Sequence, residues 1–341
     1  MRPEPGPLPA AAMATVAGAT VLPMRSAGDL ACGVIDAHGT PVTGAATRLS
    51  GNRVTPDPVP PAGPVTYLPG RWLFAGVGRH HFGHFLMEAT PRLWALDHLT
   101  EAPDGILLIP MAGRDIAAVL RRRLAPLLAG LAQGLPVHLV ETPTRVDAAV
   151  VPTQGFGHLD WSHGTPEARR YMRRHVPAIA PAHGAEKLYL SRRRLKNQAS
   201  PVPHEHRIER WMSQAGFEIF HPERHPIPEQ IARYRAAKVI VGPDGSAFHL
   251  AACAMPRGAR VGLIQRRTRQ PVFDAIARQL TSFAGADLWT TAALSNVAPP
   301  LPRRRRGDRA GLSRPPACRS AGGGFYLIAG VSRSAIHRRV P

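Results

Sequence analysis

The chain has 341 residues, 44% of them apolar and only 6% aromatic, which suits one or two globular cores and excludes a polypeptide disordered throughout. Its net charge of +20 is unevenly spread: residues 298–341 carry ten Arg and one Asp, or +9, leaving +11 on residues 1–297, so the total alone does not define a nucleic-acid-binding face. Three distant cysteines, Cys32, Cys253 and Cys318, exclude a disulfide framework and a zinc knuckle, and no apolar run reaches the length of a membrane span.

In chain order, residues 1–65 lack aromatics up to position 60 and read as a β-rich or irregular segment, with a hairpin in ACGVIDAHGTPV turning at DAHG. Residues 66–165 alternate extended and helical patterns. VTYLP and RWLFAGV are extended, 84–99 is helical, GILLIP is a short buried strand, 114–131 is a long helix, and VHLVE and AAVVPT are two more strands. This order predicts an α/β domain with a parallel sheet. Residues 166–184, a basic helix running into Pro and Ala, are expected to be a linker. Trp72, Trp94 and Trp211 are expected in the core, and FGHLDWSHG, with His158, reads as a surface turn or an acceptor contact.

A second α/β series occupies residues 185–297. KLYLS, FEIFHP, KVIVGP and RVGLIQ are strands, separated by helices over HEHRIERWMSQAG, PIPEQIARYRAA and SAFHLAACAM. That alternation predicts a Rossmann-like unit. Residues 298–341, rich in Arg, Pro and Gly and without any period, are expected to be a disordered basic tail.

Two strand ends of the second unit carry groups suited to an anion. After VIV come Gly242, Pro243, Asp244, Gly245 and Ser246 and then a helix, so glycines and free N–H groups meet at a helix start; an ordinary turn with Asp244 as N-cap is the alternative. After KLYL come Ser191, Arg192, Arg193, Arg194 and Lys196, whose guanidinium groups suit a diphosphate, or else a solvated basic loop.

The blocks GRWLF, HFGHFLMEATPRLWAL, LYLSRRRLK, HEHRIERWMSQAGFEIFHPE and IPEQIARYRAAKVIVGPDGSAFHLAACAMPRGARV, spanning about residues 65–265, resemble glycosyltransferase family 61, in its bacterial capsular-polysaccharide branch. The resemblance implies a GT-B-like α/β fold, two Rossmann-like domains facing across a cleft. It also implies inverting, metal-independent sugar transfer with no cofactor besides the nucleotide-sugar donor. By position, Arg192 would meet the donor diphosphate over the loop of Gly242, Gly245 and Ser246. Arg193, Lys196, Glu205, Asp244 and His249 would complete the donor site. Two positions depart from the family pattern: Asp244 stands where His is usual, and His204 replaces Asn before the retained Glu205.

In such an enzyme a base must take the acceptor proton from the N-terminal side of the cleft. HHFGHFLMEATPRLW supplies candidates: His84 and Glu88 lie four residues apart on one helix face, with Thr90 and Pro91 reading as a kink and a new helix start. His84 oriented by Glu88 is the expected base, with His81 and Arg92 on the acceptor side. A structural His84–Glu88 pair, and a metal site of His81, His84 and Glu88, are the alternatives.

The expected function is therefore glycosyl transfer from a nucleotide-diphosphate donor, UDP-linked, to a saccharide hydroxyl in surface polysaccharide synthesis. The expected partners are nucleotide sugar, saccharide acceptor and, peripherally, the inner membrane surface from the cytoplasm, with nucleic acid not expected. A non-catalytic nucleotide or polyanion binder is the alternative. A dinucleotide-dependent dehydrogenase ranks well below these, since no G-x-G-x-x-G follows any predicted strand.

Overall fold

The computed structural model describes residues 7–51, 53–113, 115–195 and 201–291. All of these belong to one compact unit, Met1–Val297. Lys196 and the basic tail lie outside the described residues.

The larger sheet takes strands from the N-terminal segment as well as from the first α/β series. β1 (Met13–Ala17) and β2 (Thr20–Leu22) run one after the other, antiparallel, along the later strand β9, separated at Gly18, whose φ of +60° suits a residue without Cβ. β3 (Gly33–Ile35) pairs with β2, and the DAHG turn forms as expected, with the Asp36 carboxylate accepting from the His38 and Thr40 amides at 2.9 and 2.8 Å. β4 (Arg48–Leu49) and β5 (Arg53–Val54) make a small separate ribbon. Then follow β6 (Thr66–Gly78), α1 (Phe82–Ala89), β7 (Gly105–Pro110), α2 (Ile116–Arg123), α3 (Ala125–Leu131), β8 (Val137–Leu139) and β9 (Thr144–Pro152). The order is β3-β2-β9-β6-β7-β8, with β1 also on β9. Only β9-β6-β7-β8 is parallel, so the sheet is mixed where a parallel one was expected. The first 65 residues supply the antiparallel strands.

Two long helices expected from the sequence are interrupted. Helix 84–99 stops at Ala89, and Thr90, expected to cap a new α-helix, instead donates its hydroxyl to the Leu86 carbonyl at 2.8 Å; a 3-10 turn follows at Leu93–Asp97. Helix 114–131 breaks between α2 and α3, where Pro126 sits in the first turn of α3.

Residues expected as a linker form α4 (Pro166–Ala178), capped by Thr165, whose hydroxyl accepts from the Ala168 amide at 3.3 Å. The helix is packed on both sides: Tyr171, Met172 and Val176 are buried, and Arg173 donates to the carbonyls of Ala252, Cys253 and Met255 at the end of a later helix.

The second sheet comprises β10 (Lys187–Leu190), β11 (Glu218–Phe220), β12 (Val239–Pro243), β13 (Arg260–Ile264) and β14 (Asp287–Thr291), with α5 (Glu205–Gln214), α6 (Ile227–Ala236), α7 (Ala247–Ala254) and α8 (Gln270–Ala284) between them. It is wholly parallel, in the order β11-β10-β12-β13-β14. The helix α8 and strand β14 extend the unit beyond the last strand legible in the sequence.

The larger of two hydrophobic clusters runs through both halves, joining Leu73 and Phe85 to Leu188, Phe248 and Leu263, and the second, with Trp72 and Phe74, belongs to the first half. Trp72 and Trp94 are buried in the core as expected, but Trp211 is 44% exposed on α5. Among the described residues no helix is long and apolar enough to cross a membrane.

Candidate functional site

The strand order of the second sheet places a switch point between β10 and β12, whose following chains leave toward opposite sides. A crevice opens at such a point, at the carboxyl ends of the strands. Here those ends are Ser191–Arg192 and Gly242–Ser246, the two segments singled out in the sequence.

The fit between them is close. A Cβ on Gly242 would lie 2.8 Å from the Leu190 carbonyl oxygen, and one on Gly245 would lie 2.5 Å from Arg192 Nη1, so the guanidinium rests on the glycine backbone. Arg192 Nε is buried with no hydrogen-bond partner. Burial lowers the Arg192 pKa, which the nearby Asp244 charge opposes. A cleft of about 350 Å³ opens around Arg192, bounded by Glu223, Ser246, Phe82 and, from α2 of the first half, Arg122 and Arg123.

Glu205 supports this corner without facing the cleft chemistry directly. Its Oε1 accepts from the Arg192 amide at 2.8 Å and from the Tyr189 hydroxyl at 3.3 Å, and burial raises its pKa. Arg193, expected beside the donor, is held by Glu209 of α5, with Nε 2.8 Å from Oε2. Arg193 lies in the turn that follows β10, where the Leu195 amide donates to the Arg192 carbonyl at 3.0 Å.

Asp244 neither caps α7 nor faces an anion. Ser246 is the N-cap, without a side-chain bond, while the Asp244 carboxylate is buried and accepts from the Arg266 amide and from Arg267 Nε, both at 2.9 Å. Arg266 Nε donates to the Asp244 carbonyl at 2.6 Å. The charge that looked unfavourable beside a diphosphate is thus neutralised from beyond the end of β13. His249 turns its Nδ1 to Gln279 Oε1 on α8, and burial lowers its pKa to about 4.

A second polar group stands where α1 meets this crevice. Phe82 lines the cleft, and a Cβ on Gly83 would lie 2.8 Å from Ser246 Cβ, so α1 begins against the glycine loop. One turn on, Glu88 is fully buried and its Oε1 collects four donors: the Ser50 amide at 3.0 Å, Arg79 Nη1 at 3.4 Å, His84 Nδ1 at 3.2 Å and His158 Nε2 at 2.8 Å. Burial alone would raise this carboxyl; the hydrogen bonds from His158 and His84, with the Arg79 charge, outweigh it and hold the pKa at about 2. Burial lowers the His158 pKa, partly offset by Glu88.

An ionised carboxylate offers only lone pairs, so each ring nitrogen facing Glu88 carries a proton. With its Nδ1 proton directed at Glu88, His84 points its other ring nitrogen, Nε2, away from the carboxylate. Its side chain is 28% exposed, against 16% for His158 and 0% for Glu88.

One acceptor-side expectation changes. Arg92 does not reach the Glu88 carboxylate or an open surface: fully buried, it donates to the carbonyls of Gly44, Ala46 and Pro152 at 3.2, 2.7 and 3.0 Å, tying the N-terminal segment to β9. His81 precedes α1 as its N-cap and packs edge-on against His84, with ring centroids 4.8 Å apart.

The family model described as Glycosyltransferase 61 matches residues 82–262, more than half of the chain. The chain belongs to the glycosyltransferase 61 family. Comparison with curated proteins finds no match. The matched residues of this family 61 transferase include α1 with His84 and Glu88, His158, and the whole switch-point crevice, while Ser50 and Arg79 lie before them.

His84, Glu88 and His158 each offer a ligand atom within 4.8 Å of the others, close enough for a metal ion. The third member is thus His158, in place of His81. The Arg79 guanidinium and the Ser50 amide bond the same carboxylate oxygen, Oε1, while Glu88 Oε2 is buried with no hydrogen-bond partner.

The sequence offered His158 as a surface turn or an acceptor contact but did not join it to Glu88, and it did not bring Arg79, Ser50, Arg122 or Arg123 into the site. Two glycines, Gly155 and Gly157, precede His158; a Cβ on Gly155 would lie 2.6 Å from Ala168 Cβ, so this loop runs close against α4.

Proposed function

We propose that this family 61 chain transfers a sugar from a nucleoside diphosphate donor to a saccharide hydroxyl, with inversion and without a divalent cation, in surface polysaccharide synthesis. The observation that carries the reading is Arg192: a half-buried arginine with a buried, unpartnered Nε, seated on Gly245 at the switch point of a parallel sheet. Arg122 and Arg123 on the far wall add the counter-charge that a departing diphosphate requires.

The GT-B reading treats the two sheets as the donor-side and acceptor-side halves, with the cleft between α1 or α2 and the ends of β10 and β12 as the reaction site. His84 acts as the base. Its Nε2 takes the proton of the acceptor hydroxyl as that oxygen attacks the anomeric carbon, while Glu88 fixes the ring through Nδ1 and stabilises the imidazolium that forms. The leaving diphosphate is held by Arg192 and the amides of the glycine loop. The basic face suits an anionic glycan or the cytoplasmic membrane surface.

The test is calorimetric titration with UDP, GDP and CMP and thermal-shift screening of their sugar derivatives, with and without EDTA, on wild type and Arg192→Ala. Micromolar binding of one nucleoside diphosphate that survives EDTA and is lost in Arg192→Ala supports the reading. Folded protein that binds none of them rejects it.

A further inference from the structure

Charge is segregated around α5 in a way that the donor site does not explain. Along residues 191–195 and 201–226 the acidic side chains turn inward. Glu205 and Glu209 are buried, holding the Arg192 amide and the Ser191 hydroxyl, Glu218 pairs with Arg233, and Glu223 keeps its Oε1 out of solvent. The basic ones turn outward: Arg193, Arg194, Arg207, Arg210 and Arg224 are exposed. Of these five, only Arg193 has a carboxylate partner among the described residues, Glu209.

Arg207, Arg210, Trp211 and Gln214 follow one another at helical spacing, away from the face of α5 that buries Glu205 and Glu209. Trp211, expected in the core, is 44% exposed, and no cation or ring stacks on it among the described residues. Trp289, the other exposed tryptophan, has the Arg260 guanidinium over its ring at 5.7 Å. Arg194 and Arg224 gather at the turns after β10 and β11, beside the same helix: His221, 3.7 Å from Glu209, has its pKa lowered by burial and further by their charges.

An uncovered indole among unpaired guanidinium groups suits the headgroup boundary of a bilayer, where tryptophan is enriched and anionic lipids attract basic side chains. A soluble polyanion answers only the arginines, because it gives the indole no apolar side to enter. We infer that α5 docks this protein on an anionic lipid bilayer, with Trp211 seated among the headgroups and Arg207 and Arg210 on their phosphates. This rests on the membrane contact proposed above and gives it a surface, and it is independent of the donor chemistry.

Docking through α5 also sets the height of the site. Glu205, which bonds the Arg192 amide, and Trp211 belong to the same helix and stand about 9 Å apart along its axis. The donor corner is therefore held close to the headgroups, within reach of an acceptor saccharide carried on a lipid.

The experiment measures partitioning of the full chain onto vesicles of phosphatidylcholine, alone or mixed with phosphatidylglycerol, for wild type, Trp211→Ala and the double variant Arg207→Gln with Arg210→Gln. Wild type should bind the mixed vesicles and not the neutral ones. A basic residue at an anionic surface is worth about fivefold, so the double variant should partition about twenty-five-fold less. Trp211→Ala should lose about tenfold through apolar burial, yet bind dextran sulfate, a soluble polyanion, as wild type does. Mixed-vesicle binding unchanged in both variants, as when the arginines of residues 298–341 alone carry it, would overturn this inference and leave the membrane contact standing. Loss in the double variant only, with an equal loss on dextran sulfate, would make α5 a polyanion face and overturn it as well. Wild type that ignores mixed vesicles would overturn both the inference and the membrane contact, while nucleotide titration still judges the donor reading. Both arginines are exposed, so the double variant tests the surface whatever Trp211→Ala does to folding.

Discussion

The Arg192 guanidinium lies on the backbone of Gly245, so that a single methyl group added there would stand 2.5 Å from Nη1. Gly245→Ala should therefore displace a flexible side chain and not the fold. We expect nucleotide affinity to fall about tenfold, roughly 1.4 kcal/mol, in calorimetric titration. The melting temperature should stay close to wild type. Gly242→Ala gives the contrast, because its Cβ would meet the Leu190 carbonyl at 2.8 Å and a strand backbone cannot swing aside. That variant should melt several degrees lower, in line with an overpacking cost of about 1–3 kcal/mol.

Glu88 sets an acid limit on stability. Its folded pKa, about 2, lies below the ordinary 4.5, so the stability it contributes is fully present above pH 4.5 and is lost as pH falls toward 2. Glu88→Gln should flatten the dependence of melting temperature on pH across that window. At neutral pH it should cost about 3 kcal/mol, because Arg79 is left beside an uncharged amide. Thermal melts of both proteins from neutral to acid pH would test this, and parallel curves would contradict it.

His84 and His158 should separate catalysis from support. His84→Gln should lower the transfer rate by about 10²–10⁴ while leaving nucleotide affinity and melting temperature close to wild type. His158→Gln, at a more buried ring that bonds Glu88 more closely, should lower the melting temperature first. Transfer assays beside thermal melts distinguish the two. Equal effects of both variants on stability alone would make the cluster structural.

Asp244 is expected to serve the fold and not the donor. Asp244→Asn removes the buried charge that Arg266 and Arg267 approach and should cost about 3–5 kcal/mol, seen as a lower urea midpoint at unchanged slope. Nucleotide affinity measured well below that midpoint should not fall, since one negative charge near Arg192 has gone. A loss of affinity at full folding would instead make Asp244 a donor contact.

The switch-point corner was largely legible. Arg192, Gly242, Gly245 and Ser246 were marked by type and by position at strand ends, and a parallel sheet brings such ends to one edge. Arg193 shows where that logic stops. It neighbours Arg192 in the chain, but Glu209 of α5 claims it, and which of two consecutive guanidinium groups faces a helix depends on how that helix docks. Arg92 is similar: its charge suggested a surface or acceptor role, while its place is under carbonyls from residues 44, 46 and 152.

The amino-acid sequence by itself determined the strands and helices of the second half as far as β13, the glycine loop and its arginine, and the pairing of His84 with Glu88 across one helical turn. These follow from periodicity, turn chemistry and four-residue spacing, all of which act over short stretches of chain. The tertiary structure alone decided that His158 and Arg79 complete the Glu88 cluster, that Asp244 is neutralised from beyond β13, and that Glu223 shares the cleft with Arg192. Each of those contacts joins residues brought together by strand order and helix docking. The energies that choose them come from burial and charge pairing across distant segments, which a local pattern does not encode.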